Sequence, residues 1–194
     1  MIRNWKEVAK DAATLLGEGI EAECEGPDSP FPDIEERVKL ILPGILADLL
    51  LEADIGKISG WKRLPAEDLE ITKDGTGSLS LPVGFLRLGT LRFQSWRRSL
   101  HGIADERAVK ASFQASQWPG IKGCPSRPVI TQGIGADGNR CLKIYGCITG
   151  DRLTEGWYLP YPEYDAGGCV EIPETLYSEL LQKVSGSLIQ PLIR

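Results

Sequence analysis

The stretch Gly133-Ile134-Gly135-Ala136-Asp137-Gly138 has the GxGxxG spacing of a dinucleotide-binding loop, and a β-like run precedes it. In a dinucleotide site such a loop opens a helix, because the amides at the helix N-terminus bind the pyrophosphate. Here residues 139–145 have the pattern of a strand instead. We therefore interpret the glycines as the loop of a β-hairpin.

A metal centre or a His-based catalytic site would have to be built around His101, because the chain has one histidine among 194 residues. No serine lies in a GxSxG elbow. An enzyme of an unrecognised type would need a deep cleft that joins His101 to two carboxylates. The candidate carboxylates are Asp151, Glu155, Glu163, Asp165 and Glu171. Acids in loops are usually solvated, so we expect no enzymatic activity, no cofactor and no metal.

The cysteines are odd in number and show no CxxC spacing. They are Cys24, Cys124, Cys141, Cys147 and Cys169. This pattern predicts reduced, mostly structural thiols, because a disulfide framework needs pairs and a structural zinc site needs closely spaced ligands.

Three stretches have helical periodicity. Residues 2–17 predict a first amphipathic helix, whose apolar side includes Leu15. After an irregular acidic connection at 19–33, Asp33 and Glu36 resemble a capping pair that opens a second helix. Pro43 should kink or divide that helix, because proline removes a backbone donor. A third helix follows residue 172, and Gly186 and Pro191 should limit its length.

Period-two patterning dominates between these helices, and it is clearest at residues 78–93. There, two half-buried strands flank a tight bend at Pro82-Val83-Gly84, with Arg87 and Arg92 pointing to solvent or to a partner. Further strands are predicted at 69–72, 129–132, 141–145 and 157–161. They suggest one sheet or a small barrel of roughly five or six strands.

The sequence thus predicts an α+β fold in which N- and C-terminal helices form a small bundle around an inserted antiparallel β-sheet or small barrel. The expected boundaries are a helical region at 1–60, a β-rich insert at 61–170 and a C-terminal helix at 171–194 that packs back on the first region. No apolar run is long enough to span a bilayer. The charged N-terminus also differs from a signal peptide.

Charge is distributed unevenly along the chain. Residues 1–52 carry 5 Lys or Arg against 12 Asp or Glu, a balance of −7, whereas residues 85–110 carry 6 against 2, a balance of +4. This pattern fits two solvated faces, or complementary surfaces that join copies of the protein, or a basic patch for nucleic acid. The net charge of −5 disfavours direct nucleic-acid binding. The candidate assembly interface is Arg87, Arg92, Arg97 and Arg98.

The order of features resembles the head–tail connector, or adaptor, proteins of short-tailed bacteriophages and prophages. The similar stretches are 51–54 at the end of the helical pair, 75–88 around the bend, 127–130 before a hairpin, 158–162 closing the sheet and 172–177 opening the last helix. They cover most of the chain. The chain departs from the family in its third helix, which Gly186 and Pro191 shorten.

The resemblance implies a non-enzymatic virion assembly subunit without a cofactor. Such subunits assemble as a ring beneath the portal, with helices on the ring and a β portion facing neighbours or the tail. The expected partners are the portal, neighbouring tail proteins and further copies of the chain, and the expected location is the virion, after assembly in the bacterial cytoplasm. The alternative is a small-ligand or carbohydrate-binding β module that uses Trp96, Trp118, Trp157 and Tyr161.

Overall fold

Helices and antiparallel strands share the chain in this computed structural model, which describes residues 1–16, 34–104, 109–116, 118–135 and 138–189. The helices are α1 (Trp5–Leu16), α2 (Ile34–Glu52), α3 (Val109–Ser112) and α4 (Tyr177–Ile189). The strands are β1 (Ile2–Asn4), β2 (Lys62–Arg63), β3 (Glu70–Ile71), β4 (Thr76–Ser80), β5 (Phe85–Phe93), β6 (Val129–Ile134), β7 (Arg140–Tyr145), β8 (Leu153–Pro160) and β9 (Cys169–Glu171). The predicted mixture of helices and antiparallel sheets is confirmed. The predicted connection at 19–33, Asp33 and Pro191 lie outside the described residues.

The chain divides into two units. We call Met1–Gly60 together with Tyr161–Arg194 the helical unit, and Trp61–Pro160 the β unit. The division at Pro160 falls before the predicted boundary at residue 170. The reason is that β9 pairs with β1, which places residues 169–171 in the helical unit.

Three helices of the helical unit, α1, α2 and α4, contact one another in pairs. Each buries an apolar stripe, with Val8, Leu42 and Leu180 fully excluded from solvent. The buried hydroxyl of Ser185 also donates a hydrogen bond to the carbonyl oxygen of Ala12, at 3.2 Å. The three helices are thus held together by apolar burial and by a buried hydrogen bond between α4 and α1.

The first helix begins at Trp5, three residues later than the periodicity predicts. Residues 2–4 form β1 and pair antiparallel with β9, in a register that places Ile2 opposite Glu171. Leu15, expected on the buried side of α1, is 58% exposed. These two predictions were wrong because a three-residue strand has no detectable period, and because the apolar stripe of a helix need not be covered over its last turn.

Helix α2 continues through Pro43 and is not divided there. Proline has no amide hydrogen, so the carbonyl of Lys39, four residues earlier, loses its helical donor. The hydroxyl of Tyr164 donates to that carbonyl oxygen at 2.9 Å. Burial raises the pKa of Tyr164 to about 12, so the phenol keeps its proton at neutral pH. A side chain from the other end of the sequence therefore replaces the missing donor.

Helix α4 also runs through a predicted terminator. It extends past Gly186 to Ile189, with Val184 and Leu188 buried on either side of the glycine. A single glycine costs a helix only about 1 kcal/mol, which the burial of neighbouring apolar residues can offset. The prediction that Gly186 limits this helix was therefore wrong.

The β unit contains two sheets, with strand orders β2-β8-β5 and β3-β4-β7-β6. The hairpins β3–β4 and β6–β7 match the predicted strand pairs. The bend between β4 and β5 is held by a hydrogen bond from the Phe85 amide to the Pro82 carbonyl at 3.1 Å, and Gly84 has a φ of +75°. This bend is a corner between the sheets, so the single sheet or barrel predicted from the sequence is replaced by two sheets.

Both sheets contribute to one apolar cluster. Its members include Leu79, Leu142 and Ile144 from the four-stranded sheet and Leu88, Leu91 and Phe93 from the three-stranded sheet. Apolar burial therefore fixes which side of the β2-β8-β5 sheet faces this cluster. In the described part of the chain, no helix combines the length and the hydropathy that crossing a membrane requires.

Candidate interaction surface

The outward side of the β2-β8-β5 sheet collects polar side chains around one tryptophan. On β8, Tyr158 is buried while its neighbour Trp157 is 44% exposed, as alternation along a strand requires. Trp157 lies opposite Thr90 of β5 and opposite Arg63 of β2. Residues directly opposite one another point to the same side of a sheet. Arg63, Trp157 and Thr90 therefore form one row across three strands.

The row continues beyond β5. Leu91 forms an antiparallel bridge with Leu100, and each donates its amide to the other's carbonyl, at 2.8 and 2.9 Å. This pairing brings His101 beside Thr90, with 3.1 Å between the imidazole Nδ1 and the threonine Oγ1. The same Nδ1 lies 3.3 Å from the Gly89 carbonyl oxygen. His101 thus extends the row as a fourth side chain, exposed to solvent.

A second row lies alongside the first. Arg92 of β5 is opposite Glu155 of β8, and the guanidinium Nη1 is 3.5 Å from the carboxylate Oε1. The hydroxyl of Ser99 donates to the other oxygen of the same carboxylate, at 2.9 Å. We call the two rows together the Trp157 face. Its members are Arg63, Thr90, Arg92, Ser99, His101, Glu155 and Trp157.

A β-bulge determines which arginines share this side of the sheet. Leu88 and Thr90 pair with consecutive residues of β8, so Gly89 is one extra residue in β5. Because of that extra residue, Arg87 and Arg92 point to the same side although they are five positions apart, a spacing that puts residues of a regular strand on opposite sides. Arg97 and Arg98 follow the end of β5 and are exposed. Of the four predicted interface arginines, Arg92 is part of the Trp157 face, Arg87 is on the same side of β5, and the other two lie beyond the strand.

Not all four aromatic residues of the carbohydrate alternative are accessible to a ligand. Trp96 is 2% exposed, and its indole Nε1 donates to the Gly146 carbonyl oxygen at 2.9 Å. It is a core residue and cannot stack on a ligand, so this part of the alternative was wrong. Trp118 is 76% exposed on a different segment, and Tyr161 belongs to the helical unit. Trp157 is half-exposed and gives the Trp157 face its aromatic side chain.

The other motifs that suggested chemistry have structural roles. The GxGxxG spacing begins in β6, at Gly133. The Gly135 amide donates to the Asn139 carbonyl oxygen at 2.7 Å, and strand β7 follows, as predicted. Cys124, Cys141, Cys147 and Cys169 are free thiols, and burial raises the pKa of Cys147 to about 12. Among the described residues, no group of three or more His, Cys, Asp or Glu side chains is placed to hold a metal ion.

Charge separates by unit more sharply than by sequence window. The helical unit has 8 Lys or Arg against 18 Asp or Glu, a balance of −10, whereas the β unit has 14 against 9, a balance of +5. Six of the acids lie at residues 17–33, a stretch without lysine or arginine that is outside the described residues. The β unit is therefore basic, and it carries the Trp157 face.

The side chains of the Trp157 face contact one another around a half-exposed tryptophan. Glu155 already bonds Arg92 and Ser99, and His101 already contacts Thr90 and Gly89, so the polar groups support one another around an aromatic centre. The sequence matches no protein-family model and no curated protein.

Local patterning predicted Arg92 and Trp157 separately, but it missed Arg63, Thr90 and Ser99. Their partners are distant in sequence, and only the alternation of Glu155 and Trp157 hinted at a shared face.

Proposed function

We propose that the chain is a non-enzymatic structural protein of a phage or prophage, a head–tail connector subunit that assembles as a ring and binds the portal. The order of its motifs, which resembles the adaptor family, supports this assignment. The segregation of charge by structural unit, −10 against +5, is the observation that carries it. Complementary charge on two surfaces favours contacts between copies of a protein through those unlike surfaces.

Unlike surfaces produce a specific kind of assembly. A contact between the acidic unit of one copy and the basic unit of the next is heterologous, so each copy offers one surface of each kind. Such contacts close into a ring when the rotation between neighbours divides a full turn, and they give an open filament otherwise. A portal beneath which the subunits gather would select the closed form.

The proposal includes an architecture. In it, the helices of the two chain ends form a small bundle and the β unit is an insert that reaches neighbours or the tail. The pairwise contacts of α1, α2 and α4 and the division of the chain at Gly60 and Pro160 support this arrangement. The partners would be the portal, neighbouring tail proteins and other copies of the chain, in a virion assembled in the bacterial cytoplasm.

The predicted basic interface fits this role in part. Arg87 and Arg92 lie on the outward side of β5, and Arg97 and Arg98 are exposed just beyond it. Arg92 forms an ion pair with Glu155, and the two side chains are 42% and 41% exposed. Exposed pairs of this kind contribute little to stability, so Arg92 and Glu155 can take part in recognition without a large loss of folding free energy.

Electron microscopy and light scattering of the purified protein, alone and with the portal of the same phage, test the proposal. Rings, or a portal complex with bound subunits, are the expected result. The assembly should weaken as the salt concentration rises, because charge attraction between exposed surfaces is screened. Strict monomers that never bind the portal at low salt would contradict the proposal. A subunit that is monomeric alone and ring-forming on the portal would support it.

A further inference from the structure

We infer that the Trp157 face binds the acidic helical unit of a neighbouring copy, and that residues 17–33 of that copy are the segment it receives. The inference rests on the proposed ring and names the contact that would build it. It specifies an occupant by its chemistry, an acidic peptide, and by its source, a second copy of this chain.

The composition of the face is that of a binding centre. Tryptophan and arginine are the residues most enriched among the energetically dominant positions of protein interfaces. Trp157 has Arg63 on one side and Thr90 on the other, and Arg92 lies in the adjacent row. Nearly half of the indole-bearing residue remains accessible, which leaves apolar area for a partner to cover.

Polar side chains of the face already have polar partners within the β unit, and they keep these partners when a ligand excludes water. The carboxylate of Glu155 accepts from Ser99 and faces Arg92, while His101 contacts Thr90 and the Gly89 carbonyl. Groups with partners inside the surface do not become unsatisfied when a peptide excludes solvent. Covering this face therefore leaves these side chains with their polar partners.

Charge selects the occupant. Two arginines and one glutamate give the face a positive balance within a β unit of net charge +5. Residues 17–33 are the strongest complement in the sequence, with no lysine or arginine and six acids: Glu18, Glu21, Glu23, Glu25, Asp28 and Asp33. The same stretch has Phe31 beside Pro30 and Pro32, which are apolar partners for an exposed indole.

The dimensions of the face fit a short peptide. Four side chains in a row across neighbouring strands span roughly 14 Å, since strands lie about 4.8 Å apart. About four extended residues cover that distance. A part of the 17-residue stretch is therefore enough to occupy the row from Arg63 to His101.

Sedimentation velocity at low salt compares wild type with Trp157→Ala and with Trp118→Ala as the matched control. Trp118 is the more exposed of the two, at 76% against 44%, and it lies outside the face. Trp157→Ala should weaken self-association roughly tenfold or more, as loss of a central aromatic anchor does, and Trp118→Ala should leave it unchanged. Circular dichroism checks that both variants are folded.

A second pair of variants tests the occupant. Replacing the six acids of residues 17–33 by their amides should weaken self-association to a similar degree. The control replaces six exposed acids outside that stretch in the same way, at Asp54, Glu67, Asp68, Glu163, Glu174 and Glu179. It removes the same charge, so an equal loss in both variants would show that net charge acts without a specific segment.

Mixing the Trp157→Ala variant with the amide-substituted variant distinguishes this contact from other contacts between copies. The Trp157→Ala copy keeps its acidic segment, and the amide-substituted copy keeps its face, so one productive contact remains between them. At a concentration at which each variant alone is monomeric, the mixture should give 1:1 pairs and nothing larger. Self-association of Trp157→Ala equal to that of wild type overturns the inference, as does a wild type that is monomeric at high concentration and low salt.

The inference and the proposed function fail in different ways. If Trp157→Ala still forms rings with the portal, another surface joins the copies and the ring assignment stands without this contact. If the variant assembles normally but loses the portal, the face binds the portal, and a second copy is not its occupant. If wild type neither self-associates nor binds the portal, both fail.

Discussion

The hydroxyl of Tyr164 lies 2.9 Å from the carbonyl oxygen of Lys39, the group that Pro43 leaves without a donor inside α2. The two residues are 125 positions apart in sequence. Their contact connects the segment after the β unit to the second helix. It explains how a 19-residue helix contains a proline in its interior without ending there.

The first prediction concerns this contact. Tyr164→Phe should destabilise the protein by about 1 kcal/mol, because the Lys39 carbonyl loses its donor. In a Pro43→Ala background the same change should cost less, since the alanine amide can supply the helical hydrogen bond. A double-mutant cycle measured by urea unfolding gives the coupling. Equal costs in both backgrounds would show that Tyr164 acts through packing alone.

The second prediction concerns alkaline pH. The pKa values of Tyr164 and Tyr177 are raised to about 12, chiefly by burial, and the hydrogen bond between Tyr177 and Asp11 adds to the second shift. An unfolded tyrosine titrates near pH 10, so the stabilisation is complete below about pH 10 and is lost as the pH rises through about 12. Unfolding free energies of wild type and the Tyr164→Phe/Tyr177→Phe variant should therefore converge over this interval. A difference that does not change with pH would contradict the prediction.

The third prediction concerns the basic side of β5. Arg87→Glu with Arg92→Glu should abolish assembly and leave the fold intact, because both side chains point outward from the sheet. The matched control is Lys73→Glu with Lys122→Glu, which changes the net charge equally in the same unit. Light scattering follows assembly and circular dichroism follows folding. Normal assembly of the arginine variant would remove the basic surface from the proposal.

The fourth prediction separates two tryptophans that look alike in sequence. Trp96→Phe should cost about 1–3 kcal/mol, since it leaves the buried Gly146 carbonyl without the indole donor at 2.9 Å. Trp118→Phe should change stability by less than about 0.5 kcal/mol, because that side chain is 76% exposed. Thermal unfolding of the two variants provides the comparison, and similar midpoints would be inconsistent with a core position for Trp96.

The fifth prediction concerns Gly146. Its φ is +100°, and an added Cβ would lie 2.7 Å from the carbonyl carbon and oxygen of Cys124. Gly146→Ala should therefore destabilise the β unit by about 2–4 kcal/mol, from backbone strain together with the clash. Gly102→Ala is the control, since a Cβ there would meet nothing within 4 Å. Equal unfolding midpoints for the two variants would refute the expectation.

Local patterns predicted those parts of the fold that local pairing determines. The β6–β7 hairpin joins strands that follow one another, so alternation and a glycine-rich turn were enough to place it. The pairing of Ile2 with Glu171 could not be predicted, because three residues carry no period and their partner is at the other end of the chain. Pro43 illustrates a different limit, since the donor that rescues its helix comes from a distant tyrosine.

The Trp157 face could not be predicted from local sequence patterns either. Arg63, Thr90 and Trp157 become neighbours through the strand order β2-β8-β5, in which no two adjacent strands are consecutive in sequence. The sequence indicated arginines and tryptophans of interest, but only the register joins Trp157 to Arg63 and separates it from Trp96. The bulge at Gly89 likewise decides which arginines share a side.

The corner at Pro82-Val83-Gly84 has a practical consequence for studying assembly. Val83 is fully exposed at its tip, while the hydrogen bond from Phe85 to Pro82 holds the turn on either side. A cysteine-reactive fluorophore or a short affinity tag placed at this position would project from the turn that joins the two sheets. It would therefore give a fixed handle for orienting single subunits in micrographs and for measuring exchange between labelled and unlabelled copies.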